Sequence, residues 1–349
     1  MKQTLIDFHP DTVRFFKGKN IYITGGTGFI GWPLVQMIAK MGANVIVLSR
    51  KPLNEIDQLA DGSQRITYCN ADLNDFAAVR ESMKDIDVVI HLAALVAGIK
   101  YNKNHPASIF RTNLQMFLNT IQAAVENNVD VFSCCSSACV YPRHCSIPTV
   151  EEEGMLNEPE PTNSGYGWAK RMMEYTTQKY HEEFGLKVSI PRPYNAYGPR
   201  DNFDTKSSHV IPALIDKALT TNSNTFEVWG DGSHSRSFVY VDDFARGVIE
   251  CTARHQYPEP INIGVDEEIT IRELASQIGQ IVSEYRGVEI VPTFNDQGIT
   301  GQPRRKCCTR RLQERLGYQP RFSLSEGLKQ TIKWRYLTTK QNQQNTEVV

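Results

Sequence analysis

The chain lacks the features that would place it in a membrane or on nucleic acid. None of its apolar stretches is long enough to span a bilayer, and the first 18 residues contain no apolar run of signal-peptide length. A net charge of −1 argues against a general binder of nucleic acid or membrane surfaces. The composition, 40% hydrophobic and 22% charged, is that of an ordinary soluble protein. We therefore expect no nucleic-acid partner and no membrane partner.

The cysteines also lack an obvious structural purpose. The eight of them have no zinc-ribbon spacing, and their adjacent pairs make poor disulfide frameworks. We expect no metal site, and reduced thiols in a cytoplasmic protein. Internal repeats are absent too, and 349 residues exceed one average domain, so one large or two closely packed domains are expected.

A glycine-rich turn is the first positive signal. An apolar strand at residues 20–24 runs into Gly-Gly-Thr-Gly-Phe-Ile-Gly, and the apolar periodicity of a helix follows. Glycine permits the tight turn and lets the backbone approach a pyrophosphate, which the helix N-terminus would hold. Because strand, turn and helix come in this order, we favour a dinucleotide site over a loop that binds nothing. The candidate contacts are Gly25, Thr27, Gly28, Phe29, Ile30 and Gly31.

The second strand, at residues 44–48, bears on the choice of dinucleotide. It ends in Ser49-Arg50-Lys51, where an NAD-selective site would place an acidic residue for the ribose 2′-hydroxyl. A serine and two cations suit the 2′-phosphate of NADP instead, although two solvated surface charges are the alternative. The expected cofactor is NADP(H) or NAD(H), with Ser49 and Arg50 favouring the first.

Further strands and helices indicate a doubly wound sheet. Strands are predicted at 66–69 and 88–94, and amphipathic helices at about 107–127 and 166–184. This alternation implies an α/β protein with a parallel Rossmann sheet. Asp72 is placed to meet the adenine, and small residues after the fourth strand leave space beside the dinucleotide. Additional cofactor contacts are therefore expected from Asp72, Leu73, Leu92, Ala93 and Ala94.

The stretch from Ser133 to Lys170 carries the candidate chemistry. A buried strand leads into small residues, and Tyr166 and Lys170 stand four apart, so on a helix they share one face. A lysine ammonium beside a phenol favours the phenolate and makes it a usable acid or base near neutral pH. The spacing alone is weak evidence, since any surface helix could carry it.

The domain boundaries follow from the same patterns. We expect an N-terminal extension at 1–18 and a dinucleotide-binding domain at 19–190, to which 236–265 returns. A smaller substrate-binding domain is expected from 191–235 and 266–340, with a helix at 270–285 and a disordered polar tail at 341–349.

Several motifs, taken together and in order, resemble one family. The chain is similar, over roughly residues 19–337, to the extended short-chain dehydrogenases/reductases of the nucleotide-sugar epimerase/dehydratase family. The motifs are Gly25–Gly31, the set of Ser137, Tyr166 and Lys170, Arg192–Pro199 and Arg236–Asp243. Within the family the chain most resembles the GDP-L-fucose synthases and GDP-mannose 3,5-epimerases, at Ala94–Ile99, Ser136–Pro142, Glu160–Asn163, Gly198–Phe203 and Ser208–Leu214. The resemblance implies a homodimeric enzyme acting on a GDP-linked sugar.

The resemblance also implies roles for individual residues. Ser137 and Tyr166 would bond the oxygen at sugar carbon 4, and Lys170 would hold the nicotinamide ribose. Cys139 and His209 would transfer the protons that invert carbons 3 and 5. A thiol of pKa about 8.5 and an imidazole of about 6.5 suit such transfers. The alternatives are a buried structural thiol, as expected for Cys134 and Cys135, and a helix-terminal histidine that contacts only backbone.

Substrate binding would fall mainly to cations. Diphosphate recognition is expected from Asn195, Arg236 and Arg304, because arginine forks match phosphate geometry. Lys217 stands where the fucose synthases are basic. Any single arginine could equally be a surface cation. Ala138 and Trp229 complete the candidate contacts, with core packing favoured for Trp229.

Rival functions remain within and outside the family. Ala138 and Cys139 stand where 4,6-dehydratases carry acidic residues, which argues against that chemistry. A 4-epimerase or 4-dehydrogenase without 3,5-epimerisation needs only serine, tyrosine, lysine and the cofactor. A non-catalytic dinucleotide-binding regulator is disfavoured by the intact Ser137, Tyr166 and Lys170. The dimer would form through the apolar faces of helices 107–127 and 166–184.

Overall fold

The computed structural model describes residues 8–50, 65–96, 98–204, 207–295 and 303–346. The strands are β1 Asn20–Thr24, β2 Asn44–Ser49, β3 Ile66–Asn70, β4 Val88–His91, β5 Val131–Cys134, β6 Lys187–Pro193, β7 Ala196–Tyr197, β8 Thr225–Trp229, β9 Ser235–Arg236, β10 Val239–Tyr240, β11 Pro260–Ile263, β12 Ile269–Thr270, β13 Val291–Asn295 and β14 Arg304–Arg305. The helices are α1 Pro10–Phe16, α2 Gly31–Lys40, α3 Phe76–Ser82, α4 Ile99–Asn104, α5 Pro106–Glu126, α6 Ser164–Phe184, α7 Val210–Thr220, α8 Val241–Arg254, α9 Ile271–Arg286, α10 Arg310–Leu316 and α11 Leu324–Thr346.

A seven-stranded sheet forms the centre, in the order β11-β6-β5-β4-β1-β2-β3. Every neighbouring pair is parallel. The strand order reverses between β1 and β4, and ligands of such sheets bind in the crevice outside the carboxyl ends of the strands at that point. The predicted doubly wound α/β sheet is confirmed.

The two faces of the sheet explain the sequence pattern of its strands. Alternate residues of β1 pack on opposite sides, Ile21 in one apolar cluster and Tyr22 in the other. Helices α3, α5 and α6 cover the Tyr22 side, and α2 and α8 cover the Ile21 side. Strands covered on both faces read as continuous apolar runs, and all four residues of β4 are buried accordingly.

The described part of the N-terminal extension, residues 8–18, belongs to this core. Helix α1 packs on α8 and buries Phe16 completely. Glu250 of α8 accepts hydrogen bonds from the His9 amide at 2.8 Å and from the Thr12 hydroxyl at 2.5 Å. A buried carboxylate thus attaches the segment from residue 8 to the dinucleotide-binding sheet.

The rest of the described chain builds smaller sheets around a separate apolar cluster. Strand β8 pairs with β13, β9 pairs with β12 and β14, and β7 pairs with β10. Helices α7, α9 and α11 enclose the cluster. Helix α9 confirms the helix predicted at 270–285, and its N-terminus carries a capping box of Thr270 and Glu273.

Helix α11 corrects the predicted tail. It continues to Thr346, so the disorder expected from residue 341 is wrong for residues 341–346, while 347–349 lie outside the described range. Among the described residues no helix is long and apolar enough to cross a membrane. All eight cysteines are free thiols.

Candidate active site

Ser137 lies just beyond the carboxyl end of β5. The chain leaves the strand in a short 3-10 turn at Ala138–Val140, and Ser137 caps it. The Ser137 Oγ accepts a hydrogen bond from the Cys139 amide at 3.1 Å. Ser137 and Cys139 are therefore held in one turn, at the end of the sheet where a dinucleotide binds.

Helix α6 brings Tyr166 and Lys170 to this turn. Its first turn approaches so closely that a Cβ at Gly167 would lie 2.5 Å from the Cys139 carbonyl oxygen, so only glycine fits. The Tyr166 phenol lies near enough to the Ser137 side chain for that side chain to lower its pKa. The Lys170 ammonium lies 5.6 Å from the Tyr166 ring centroid and donates to the Cys135 carbonyl at 2.7 Å. The fold thus assembles Ser137, Tyr166 and Lys170 as the sequence predicts.

The protonation of Tyr166 differs from the expectation. Burial raises the pKa of its phenol well above the ordinary value, and negative charge on Cys139 or Cys135 raises it further, whereas the Ser137 side chain lowers it. The expected lowering of this pKa by Lys170 does not prevail. Tyr166 is a neutral phenol at neutral pH, which suits a proton donor.

A buried ionic network supports the turn from below. Glu174 of α6 and Arg192 of β6 form a bidentate pair at 2.7 Å, each about 1% exposed. Ser136 donates to Glu174, and Arg192 donates to the Tyr141 hydroxyl at 2.9 Å. This network was not predicted from the sequence, although the Arg192–Pro199 motif contains one partner.

Cys139 and His209 differ in how they are held. The Asn163 amide nitrogen lies 3.2 Å from the Cys139 sulfur, in hydrogen-bond contact. His209 precedes α7 and makes no side-chain cap, and only its backbone carbonyl bonds to the helix. The imidazole is solvent-accessible, but the protein atoms around it desolvate the charged form and lower its pKa, so it is neutral at pH 7. The adjacent thiols of Cys134 and Cys135 are buried, which raises their pKa to about 12 and about 11.

The segment from Gly98 into α4 lies close both to the chain just before His209 and to the turn of Asn163, which contacts Cys139. A Cβ at Gly98 would lie 3.2 Å from the Ser207 carbonyl oxygen, two residues before His209. Helix α4 packs against the 3-10 turn at 161–163, which carries Asn163. The Cys139 turn and the start of α7 therefore flank the same segment, at the carboxyl end of β4.

The glycine turn fits a dinucleotide. Gly25 has the left-handed φ of +72°, and a Cβ there would lie 2.9 Å from the Ala93 amide nitrogen. A Cβ at Gly31 would lie 2.2 Å from the Gly25 carbonyl oxygen. No side chain fits at either position, so the backbone of the turn stays open to a pyrophosphate at the start of α2. Thr27, Gly28, Phe29 and Ile30 lie in this turn, partly or fully exposed.

The other predicted cofactor contacts gather around the ends of β2, β3 and β4. Asp72 accepts from the Asn74 amide at 2.9 Å, and this bond, more than the charge of Arg50, lowers its pKa. Arg50 is exposed beside it, whereas Lys51 lies outside the described residues. Asn113 of α5 clamps Leu95, donating to its carbonyl and accepting from its amide. The remaining contacts are Ser49 and Leu73, both buried, and Leu92, Ala93 and Ala94, all partly buried.

The arginines of β9 and β14 bear on the predicted contact of Arg304 with a diphosphate. Arg305 lies in register with Arg236 and donates to the carbonyl of Ala138, which is itself buried. Arg304 points to the opposite face, where Glu268 holds it through contacts of 2.7–3.0 Å. Burial and the Arg305 charge lower the pKa of Arg236 to about 10, so the Arg236 guanidinium is still charged at neutral pH. The structure pairs Arg236 with Arg305, not with Arg304.

Trp229 is not a core residue. Its side chain is 66% exposed, and the Lys217 ammonium lies 4.5 Å from its ring centroid. Lys217 also donates to the Glu227 carbonyl at 3.0 Å. The predicted core packing is therefore wrong, and an exposed indole with a cation beside it remains. Asn195 donates to the Ser237 carbonyl at 2.9 Å, between β7 and β9.

Comparisons with known proteins agree with this site. Residues 21–264 match the NAD dependent epimerase/dehydratase family. The chain belongs to this family. It is an NAD(P)-dependent enzyme with the Rossmann fold that the family shares.

Individual relatives extend the match over most of the chain. GDP-L-fucose synthase 1 of Arabidopsis thaliana is 33% identical over 91% of this chain and 93% of its own. A dTDP-4-dehydro-6-deoxy-D-allose reductase of a Streptomyces species is 29% identical over 93% and 98%. Among solved structures, a GDP-mannoheptose C4 reductase from Campylobacter jejuni with NADP bound has a TM-score of 0.75 and 25% identity, over 91% and 98%.

Proposed function

We propose that this enzyme epimerises carbons 3 and/or 5 of a GDP-linked 4-keto sugar and couples this to redox at carbon 4. The observation that carries the proposal is the position of the Cys139 thiol, in the same turn as Ser137 and close to the Tyr166 phenol. Redox at carbon 4 alone gives that thiol no role.

The residues support the following division of work. Bound NAD(P)(H) supplies the hydride exchange at carbon 4. The neutral Tyr166 phenol donates its proton to the oxygen on carbon 4, with Ser137 bonded to the same oxygen and close to Tyr166. Lys170 would hold the nicotinamide ribose beside them.

Epimerisation uses the remaining pair of groups. A 4-keto group acidifies the protons on carbons 3 and 5, because the carbanion is stabilised as an enolate. One of Cys139 and His209 removes such a proton, and the other returns a proton to the opposite face of the same carbon. The lowered pKa of His209 keeps its imidazole neutral at pH 7, which suits the base.

Nucleotide binding is proposed to begin at the paired arginines. Arg236 and Arg305 place two guanidinium groups side by side on neighbouring strands, and a diphosphate would relieve their repulsion. Asn195 lies next to this pair, its amide bonded to Ser237. The exposed Trp229 face and Lys217 are suited to the base, and the GDP-sugar in the name of the Arabidopsis relative favours guanine.

The cofactor is proposed to be NADP(H). Arg50 is exposed beside Asp72, where the 2′-substituent of the adenosine ribose would lie, and no acidic residue ends β2. The Campylobacter reductase with NADP bound supports the same choice.

Assembly as a homodimer through α5 and α6 is also proposed. These two helices pack together, and α6 leaves Trp168, Tyr175 and Phe184 between 38% and 48% exposed. A second copy would cover them, and light scattering that reports a monomer at micromolar concentration would reject the dimer.

The eight free thiols are consistent with the proposed cytoplasmic location, and the substrate domain is proposed to comprise 191–235 and 266–340.

The second candidate is a 4-reductase or 4-epimerase that leaves carbons 3 and 5 unchanged. It is favoured by the similarity to a reductase of a dTDP-linked sugar. Incubation with 4-keto and unoxidised GDP- and dTDP-sugars, followed by NMR of the products, separates the two. Inverted carbon 3 or 5 supports the first, and change confined to carbon 4 supports the second.

A further inference from the structure

Asn163 is the residue that contacts the sulfur of Cys139. It ends the 3-10 turn at 161–163 and immediately precedes α6, the helix of Tyr166 and Lys170. Its amide nitrogen lies 3.2 Å from the sulfur, and its own backbone amide donates to the Glu160 carbonyl at 3.2 Å. The contact thus ties the thiol to the element that carries the acid of the site.

The start of α6 packs closely on neighbouring backbone, which fixes the position of Asn163 relative to Cys139. Gly167 lies against the Cys139 carbonyl, and Gly165 lies against Pro106, where a Cβ would come within 2.4 Å of the carbonyl oxygen. Both glycines let the start of α6 sit directly on its neighbours. The Cys139 amide is separately tied to Ser137. Main chain and sulfur of Cys139 are therefore both fixed.

The other end of the Asn163 amide carries a second observation. Its Oδ1 is buried, yet it has no hydrogen-bond partner among the residues that the structure describes. Buried amide oxygens are normally satisfied, so this one is available to accept from a hydroxyl that arrives with a ligand. The amide can thus contact the sulfur on one side and a ligand on the other.

We propose that Asn163 is a positioning residue for Cys139, whose N–H stabilises the negative sulfur and fixes it for proton transfer. This inference rests on the function proposed above for Cys139. An N–H that donates to sulfur favours the thiolate over the thiol. A thiol that instead donates to the amide oxygen would be favoured over the thiolate. The pH dependence of thiol reactivity separates the two arrangements.

The other groups around the Cys139 turn are common to the wild type and the Asn163 variants. Helix α6, β14 and the 3-10 turns at 151–155 and 161–163 approach it, and β5 leads into it. The titratable groups on these elements include Cys135, Glu151, Glu152, Glu153, Glu160, Tyr166, Lys170, Arg171 and Arg305. Glu152 bonds to Arg311 and Glu153 to Ser146. A shift in the pH profile of Cys139 alkylation in these variants therefore reports the loss of the Asn163 amide.

The test is the rate of iodoacetamide alkylation at Cys139 against pH, located by tandem mass spectrometry, in the full-length protein without substrate. Asn163→Ala should move the profile upward by about one pH unit, which is about tenfold slower labelling at pH 7. Asn163→Asp has the same shape but places a carboxylate by the sulfur, and it should move the profile further. Thr162→Ala is the matched control, because Thr162 bonds Glu160 in the same turn.

The possible results distinguish the proposed role of Asn163 from the proposed function of the enzyme. An unchanged or downward-shifted profile in both Asn163 variants, with NADP binding retained, overturns the role of Asn163 and leaves the proposed function standing. An upward shift in an enzyme that exchanges no proton at carbon 3 or 5 supports the amide–sulfur contact and rejects the proposed function instead.

Discussion

The two halves of the site are built in opposite ways. On the dinucleotide side, Ser137, Tyr166 and Lys170 stand on a strand end and a long helix, above a buried ion pair and against glycine contacts. On the proposed substrate side, Arg236 and Arg305 lie on two-residue strands, and Trp229 is exposed. Rigid support suits chemistry that is the same for every sugar, whereas exposed loops and short strands allow the nucleotide and the sugar to differ.

The largest effect is expected when the phenol oxygen of Tyr166 is removed from the dinucleotide side. Tyr166→Phe should lower kcat about a thousandfold, because only the proton donor is deleted. Folding and dinucleotide binding should stay near those of the wild type, as checked by thermal denaturation and calorimetry. A variant that turns over at nearly the wild-type rate would contradict the role of Tyr166.

The rigidity itself can be tested at the ion pair beneath the turn. Glu174→Gln leaves Arg192 buried without its counter-charge, and such losses cost about 3–5 kcal/mol of unfolding free energy. Denaturant titration gives the value. Glu182→Gln on the same helix is the control, since its partner Lys179 is exposed. Equal stability of the two variants would show that the network does not support the site.

On the proposed substrate side, the adjacent Arg304 and Arg305 provide a matched pair of variants. Arg305→Ala should weaken GDP binding about 10–100-fold in calorimetry, because it deletes one charged partner of the diphosphate. Arg304→Ala should change it less than about threefold, since Arg304 is paired with Glu268. A larger loss for Arg304 than for Arg305 would reverse the assignment.

The smallest expected effect concerns the edge of the cofactor site. Arg50→Ala should weaken NADPH binding by about tenfold and leave NADH binding unchanged, because only NADPH carries the 2′-phosphate. Calorimetry with both nucleotides measures this. Equal losses, or a purified protein that retains tightly bound NAD, would reject the preference for NADP(H).

The contrast between the halves also explains what could be predicted from the sequence. Apolar runs, the glycine turn and the Tyr166–Lys170 spacing depend on local periodicity, and the sheet was predicted correctly. The catalytic role of Ser137, Tyr166 and Lys170, which the fold brings together, stays a prediction. Arg304 and Arg305 differ by one residue on a two-residue strand, and one residue of shift exchanges the two faces. Strand β8 alternates, with Phe226 and Val228 buried and Trp229 on the exposed face of Thr225 and Glu227. This period of two could have predicted that Trp229 is exposed. The contact of Asn163 with Cys139 joins residues 24 apart, so only the fold reveals it.

The central claim is that Cys139 and His209 move protons at a keto-activated carbon. Turnover of a 4-keto GDP-sugar in heavy water, followed by proton NMR against an enzyme-free control, tests it directly. We predict solvent deuterium at carbon 3 or 5 of the wild-type product. Cys139→Ser should suppress this exchange, because a hydroxyl hardly ionises, while redox at carbon 4 persists. Wild-type product without deuterium above the control at either carbon would contradict the account.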